Sequence, residues 1–446
     1  MRDIIFQIVF NVLEKGISSD VALEEAMKGK PRFHQVKRLA YGTIERKITC
    51  DEILRRVISL KVRDLDPRVR TILRMGIYER FWVDSVPKEV TCNEMANLTK
   101  TVGVPQYTGY VNGVLRTISK QEKDPLWDDI LKTKKKDSKK LGFIYGMPEG
   151  IVTLFLNQYG KKTTVKILNA MEEPAPVYIR IQNSRIDEKE FTQELIRKGI
   201  SYEPTILPGV LRLQEGVAVP DIPGFHEGTF MVQDLSSTLP VTVAGLKPSD
   251  TVVDLCACPG GKSIQAADLL GEKGRVIARD SSAKRMKRMK ENITRMHLDS
   301  KIACQVWDGR KEDPDLKGKA DVVLADVPCS GLGVMGRKPE IRFHALERVS
   351  QLIPMQREIV ARGIQNLKPG GTLVYSTCTI HPEENEGNVR YFTEHFPLAC
   401  VSLWDGLPKA LQNGQSARGM LQILPGIREG NGFFVAKMRY KGNGSA

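Results

Sequence analysis

From Phe230 to the end of the chain, short apolar runs rich in β-formers alternate with amphipathic helical stretches. That alternation restricts this part to an α/β fold built on a doubly wound, mainly parallel sheet. Thr251-Val-Val-Asp-Leu255, Arg275-Val-Ile-Ala278, residues 301–306, Asp321-Val-Val-Leu-Ala325 and Thr372-Leu-Val-Tyr375 read as its central strands, and residues 421–424 and 432–438 as a terminal pair. Right-handed crossovers place the carboxyl ends of parallel strands on one rim, where such sheets bind ligands. That rim would carry Asp254, Asp280, Asp308, Asp326, Cys329 and Cys378.

The residues before Phe230 are organised differently. Up to about residue 125 the pattern is helical: Ile4, Ile5, Ile8, Val9, Val12 and Leu13 share one face, and Gly16 ends that helix. Asp66-Pro67 reads as an N-cap with proline in the first turn, followed by Val69, Ile72, Leu73 and Ile77 at helical spacing. Lys132-Thr-Lys-Lys-Lys-Asp-Ser-Lys-Lys140 is too densely charged to pack and reads as an exposed basic linker. Two helices, 149–159 and 161–171, then stop at Glu173-Pro-Ala-Pro176. A strand at 177–181, a helix at 187–198 and a strand at 210–213 complete a small α+β module, whose exposed strand face either binds nucleic acid or packs on the next domain.

A net charge of +14 favours a polyanionic partner, because lysine and arginine that neutralise phosphates release counterions. No apolar run approaches the ~20 residues of a membrane span, and Asp3, Gln7 and Asn11 interrupt the start where a signal sequence would be apolar. Eight scattered cysteines form neither a disulfide framework nor a zinc pattern, so a reducing cytoplasm and no metal are expected. Cys256-x-Cys258 has no further ligand at metal spacing.

Asp254-Leu-Cys-Ala-Cys-Pro-Gly-Gly-Lys262-Ser reads as a strand, a glycine turn and a helix start, where the backbone can approach a ligand closely. It lacks the first glycine of a P-loop, and it lacks the dinucleotide fingerprint. Asp280, ending the next strand, can accept both hydroxyls of a ribose, and Asp308, ending the third, an adenine amino group. Each could instead cap the helix that follows, but three successive strands ending in aspartate favour a nucleoside cofactor.

Two further strand ends carry thiols, in Asp326-Val-Pro-Cys329-Ser-Gly and Ser376-Thr-Cys378-Thr. A thiolate suits conjugate addition to an electron-poor ring. Carbon 5 of cytosine becomes nucleophilic only after addition at carbon 6. It can then take a methyl group from a sulfonium donor, after which a proton leaves and the thiol is eliminated. Cys378, Asp326 and Cys329 fit a nucleophile, a carboxyl on the pyrimidine edge and a group that assists release. A cysteine is more often an inert buried thiol, and Cys50, Cys92, Cys256, Cys304 and Cys400 are expected to be such. Pro328-Cys329 alone would also suit a DNA cytosine methyltransferase.

These motifs, in order and spacing, resemble the bacterial Sun/RsmB/Fmu group of ribosomal RNA cytosine-C5 methyltransferases. The resemblance rests on the 254–262 loop, Asp326-Val-Pro-Cys-Ser-Gly331 and Tyr375-Ser-Thr-Cys-Thr-Ile-His-Pro-Glu-Glu-Asn-Glu386, with Met231-Val-Gln-Asp-Leu-Ser-Ser237 and Gly432-Phe-Phe-Val-Ala436 flanking them. The helical start is similar to a NusB-type RNA-binding domain. The resemblance implies four parts: a NusB-like bundle (1–130), a basic linker (131–145), an RRM-like α+β module (146–228) and a Rossmann-like S-adenosylmethionine-dependent methyltransferase domain (229–446). It further implies that Cys256, Ala257, Cys258, Pro259, Gly260, Gly261 and Lys262, with Asp280, Asp308 and Asp326, line the S-adenosylmethionine pocket. Cys378 would be the nucleophile, with Cys329 assisting product release. The implied substrate is 16S ribosomal RNA before full subunit assembly, acted on by a monomer with no metal and no membrane. Cys258 and Val327 stand where the group has alanine, and Thr379 where serine is common. Methylation of a transfer RNA and a non-catalytic, antitermination-type RNA-binding role are the competing expectations.

Overall fold

The computed structural model describes residues 1–28, 33–214 and 218–442. The chain forms two compact units, Met1–Glu173 with Met335–His344, and Pro174–Val334 with Ala345–Ala446.

The first unit is helical. Asp66 caps the helix Pro67–Trp82 by accepting from the Arg68 backbone N–H at 2.8 Å, and that helix buries Ile72, Leu73 and Ile77 completely. The helix Arg2–Lys15 stops where Gly16 turns left-handed at φ 69, which costs glycine nothing. Ile5, Ile8, Val9 and Val12 from this helix join the same core as Ile44, Leu115 and Ile118. Arg74, 4% exposed, is neutralised by Glu14 and Asp51.

The 131–145 stretch differs from an unpacked linker. Lys132, Lys135, Lys136, Lys139 and Lys140 are exposed, but the helices Lys123–Lys132 and Asp137–Tyr145 take up most of the region, and Leu141 and Phe143 are buried. Lysines line the outer face while apolar residues follow at helical spacing, so charge density alone was a poor guide. The helix Glu149–Ala170 breaks at Gly160 (φ 73, ψ 165), as the two-helix pattern predicts, and it falls in this unit. Residues 335–344 also belong here. Glu340 accepts from the Ser19 backbone N–H at 3.0 Å, and the buried Arg342 donates to the carbonyls of Glu45 and Tyr145 at 3.2 and 3.4 Å.

The second unit holds two sheets. The smaller is antiparallel, in the order β2-β3-β1-β4: β1 Val177–Ile181, β2 Tyr202–Pro204, β3 Val210–Leu213 and β4 Phe230–Val232. The helix Glu188–Arg197 buries Phe191 and Leu195 in the same core as Ile179, Leu211 and Phe230. β4 departs from expectation: the run from Phe230 pairs with β1, Ile179 opposite Val232, rather than opening the parallel sheet. Three residues are too few for periodicity to assign a sheet.

The larger sheet comprises β5 Thr251–Asp254, β6 Arg275–Asp280, β7 Ile302–Val306, β8 Ala320–Asp326, β9 Leu367–Thr377, β10 Leu398–Cys400, β11 Met420–Ile423 and β12 Phe433–Tyr440. Its order is β10-β12-β9-β8-β5-β6-β7, with β11 on β12. β5 to β9 pair in parallel and β12 joins β9 antiparallel. All four residues of β5 are buried, as a strand covered on both faces requires. The chain runs from β5 outward to β6 and β7, then returns to place β8 on the other side of β5. Such a reversal opens a crevice at the strand's carboxyl end. Among the described residues no helix is long and apolar enough to cross a membrane.

Candidate active site

β5 delivers Asp254 to the crevice, fully buried. Its Oδ2 accepts from Ser263 Oγ at 2.7 Å, while Oδ1 has no hydrogen-bond partner. Burial, opposed by that hydroxyl and by Lys262, pushes its carboxyl up to about 6. The chain then turns through residues 255–260 into the helix Gly261–Leu269. Gly260 sits at φ 109, a conformation that other residues rarely adopt, and a Cβ there would press on the Met289 side chain at 3.0 Å. Burial raises the Cys256 thiol, and burial and Asp280 raise that of Cys258 to about 12. Cys258, which the motif left unexplained, lies 3.9 Å from the Met289 sulfur. Burial likewise raises Cys304 and Cys400.

Asp280 ends β6 and is 2% exposed. Its Oδ1 accepts from the Ser282 backbone N–H and from Arg285, and Oδ2 faces the Cys258 N–H at 3.4 Å. The carboxylate thus tethers the next helix while bordering the loop. Asp308, just beyond β7, is held by Arg310, whose side chain donates to both oxygens at 3.0 and 2.7 Å. Those hydrogen bonds bring its carboxyl down to about 2.

β8 and β9 set the other half. Their parallel register places Asp326 beside Ser376, and the Ser376 hydroxyl donates to Asp326 Oδ1 at 2.8 Å. Lys262, the second residue of the loop helix, donates to Asp326 Oδ2 at 2.7 Å and to Ser237 Oγ at 3.0 Å, and lies over the Phe433 ring. Three residues past Asp326 and two past Ser376 the chain reaches Cys329 and Cys378, both half-buried, with their sulfurs 3.3 Å apart. The hydrogen bond with Cys378, followed by burial, holds the Cys329 thiol well above its usual range.

The carboxyl rim of the parallel strands β5 to β9 therefore carries the residues singled out from the motifs. Asp254, the glycine turn, Asp280, Asp326, Cys329 and Cys378 surround the crevice, and Asp308 stands at the end of edge strand β7. The motifs placed Lys262 beside a cofactor but not its reach to Asp326, and they included Ser376 and Ser237 without giving either a role. Strand pairing would have given Ser376 one, since aligning β8 with β9 sets it beside the aspartate. Chemically, the crevice combines a carboxylate held from two sides with two sulfurs in hydrogen-bond contact. Beside it lies the 255–260 loop, in which the Ala257 N–H donates to the Arg279 carbonyl at 2.7 Å and the Gly260 N–H to the Ala257 carbonyl at 2.8 Å. Among the described residues no group of histidine, cysteine, aspartate or glutamate could hold a metal ion.

Three family profiles match the chain: the NusB family over residues 1–120, an RsmF/B-like ferredoxin-like domain over 147–220, and 16S rRNA methyltransferase RsmB/F over 241–439. The chain is 30% identical to the probable ribosomal RNA small subunit methyltransferase B of Synechocystis sp., over 98% of this chain and 99% of that one. It is also 30% identical to the Bacillus subtilis protein of the same name, over 99% of each. Among solved structures, PH0851 aligns over 98% of both chains with a TM-score of 0.82 and 25% identity. NSun6 from Pyrococcus horikoshii, at 24% identity and a TM-score of 0.60, shares the fold over 66% of this chain and 99% of that one.

Proposed function

The chain belongs to the 16S rRNA methyltransferase RsmB/F family, and on that premise we propose that it methylates carbon 5 of one cytosine in small-subunit ribosomal RNA. The observation that carries this reading is the pair of thiols, with sulfurs 3.3 Å apart, beside a carboxylate pinned by Lys262 and Ser376. Neither an N-methyltransferase nor a purely RNA-binding protein requires such a pair.

S-adenosylmethionine, when bound, supplies the electrophilic methyl group. The residues that would hold it are Cys256 to Lys262 through their backbone, with Asp280, Asp308 and Asp326. The donor set suits it: the turn at Gly260, with φ 109, presents no side chain, and the Asp280 carboxylate borders the loop. The Cys378 sulfur adds to carbon 6 of the pyrimidine, which makes carbon 5 nucleophilic. Asp326 holds the pyrimidine edge, and Lys262 and Ser376 fix its carboxylate, so little reorganisation accompanies the reaction. Cys329, kept protonated beside Cys378, donates to the attacking sulfur. Once the Cys378 sulfur is bonded to carbon 6, the hydrogen bond that kept Cys329 protonated is lost. Cys329 gives up its proton to solvent and, as the thiolate, takes the carbon 5 proton after alkylation while Cys378 leaves as a thiolate. A cytosine must leave any stack to reach this crevice, which favours RNA before full subunit assembly.

The proposal extends to the rest of the chain. The NusB-like part would grip RNA, in keeping with the net charge of +14, and a cytoplasmic monomer would do the work. The limits read from sequence, 1–130, 131–145, 146–228 and 229–446, are proposed as its functional parts.

The test uses full-length protein, S-adenosylmethionine and small-subunit ribosomal RNA transcript. Cys378→Ser should abolish 5-methylcytosine formation while cofactor and RNA affinity stay within about twofold. Cys329→Ser should leave protein covalently joined to RNA, a slow band on a denaturing gel. Exchanged phenotypes would reverse the two assignments. Absence of 5-methylcytosine with the wild-type protein on every ribosomal transcript would end the proposal.

A further inference from the structure

The turn after Cys378 holds two neighbouring polar residues, Glu384 and Asn385, both with no exposed surface. Burying a carboxylate and an amide is costly unless every polar atom is matched, and here the matching falls on the residues that flank the two thiols. Glu384 Oε1 accepts from the Ser330 backbone N–H at 2.9 Å and from Gln356 Nε2 at 2.8 Å, and Oε2 accepts from the Ser330 hydroxyl. Gln356 Nε2 also donates to the Pro328 carbonyl at 2.8 Å. The residues before and after Cys329 are thereby tied to one carboxylate. Asn385 does the same for the other thiol. Its Oδ1 accepts from the Thr377 hydroxyl at 2.6 Å, and its Nδ2 donates to the Thr379 carbonyl at 3.0 Å. The hydroxyls of Ser330 and Thr379 meet at 2.7 Å and join the two halves.

Donor and acceptor identities explain why these residue types are needed. Glu384 Oε1 meets two N–H groups that can only donate, while the Ser330 hydroxyl donates to Oε2 but could turn to accept from an amide, so glutamine weakens the arrangement and alanine empties it. Asn385 must accept on one side and donate on the other, which an aspartate cannot do. From this arrangement we propose that Glu384 and Asn385 are positioning residues. Glu384 sets Cys329 and Asn385 sets Cys378, and their adjacency in the chain fixes the separation of the sulfurs. The roles of the two thiols rest on the function proposed above.

The experiment has two arms on full-length protein. In single turnover with S-adenosylmethionine and target RNA, Glu384→Ala should form the covalent RNA adduct at the wild-type rate but release it more slowly. For a misplacement of 1 Å the loss is on the order of a hundredfold. Asn385→Ala should slow adduct formation by a similar factor without accumulation. The near-isosteric Glu384→Gln and Asn385→Asp keep the same direction with smaller losses and serve where alanine impairs folding. Equal slowing of both steps in both residues' variants marks general loosening and overturns the proposal.

The second arm needs no RNA. Dithiodipyridine oxidises the Cys329 and Cys378 thiols to one disulfide while its own sulfur–sulfur bond is reduced to two thiopyridones. Peptide mass spectrometry gives the crosslinking rate, expected to fall about tenfold or more in either residue's variants. An unchanged rate in folded variants at both residues, Glu384→Ala and Asn385→Asp among them, overturns the positioning roles. A reduced rate, with Cys378→Ser and Cys329→Ser failing to show their expected phenotypes, leaves the positioning intact and overturns the methylation mechanism instead.

Discussion

Replacing Asp254 by asparagine should stabilise the second unit at neutral pH and not at acid pH. The carboxyl is pushed up from 3.8 to about 6 because it has no access to water. Below the unfolded value it is protonated in both states, so its contribution to stability is intact there. Between 3.8 and about 6 the unfolded chain loses its proton while the native state keeps it, and stability falls with rising pH. At about 1.4 kcal/mol for each pH unit, the loss reaches about 3 kcal/mol by pH 7, and roughly half of it is present at pH 5. The asparagine side chain would keep the acceptor for Ser263 and exchange one unpaired buried atom for another, so that cost cancels to first order. The assay is thermal unfolding of full-length wild-type and Asp254→Asn protein from about pH 5 to 8. At about 2–4 °C per kcal/mol, the variant should melt about 6–12 °C higher at pH 7.5, with half that gap at pH 5. A gap that does not change with pH, or a variant less stable at pH 7.5, would refute the assignment of a buried, costly carboxylate.

Ser376→Ala removes one hydrogen bond to the Asp326 carboxylate, worth about 1.5 kcal/mol. Methyl transfer in single turnover at saturating S-adenosylmethionine should slow about tenfold. Asp268→Ala strands the buried Arg180, whose guanidinium is paired with Asp268 at 3.2 Å. Urea unfolding should show a loss of about 3–5 kcal/mol. The double variant Arg180→Met with Asp268→Leu should recover most of it, since an apolar pair carries no stranded charge.

The parallel core was legible because β5 and β8 are covered on both faces, so they show as short apolar runs, Val252-Val253 and Val322-Val-Leu-Ala325, that need no partner to be recognised. The catalytic rim was legible for a related reason: each aspartate and cysteine falls just past such a run. Partnerships across long stretches of chain were not. β4 is three residues long and finds β1 about fifty positions earlier, and β10 is equally short. Asp326 with Lys262 spans 64 residues, and Ser330 with Glu384 spans 54. Hydrophobic periodicity reports only local burial, so these pairings leave no trace in it. The lysine run misled for the opposite reason, as its charges are exposed while Leu141 and Phe143 after it are packed.

The ten-residue excursion Met335–His344 has a practical consequence. An expression plasmid ending at Glu173 would yield an unfinished object, with the carbonyls of Glu45 and Tyr145 missing the guanidinium that meets them in the intact chain. Exchanging the amino-terminal portion between relatives at one splice point would create the same mismatch. A chimera that keeps this portion whole must carry the excursion with it, so genetic cassettes here do not coincide with physical ones.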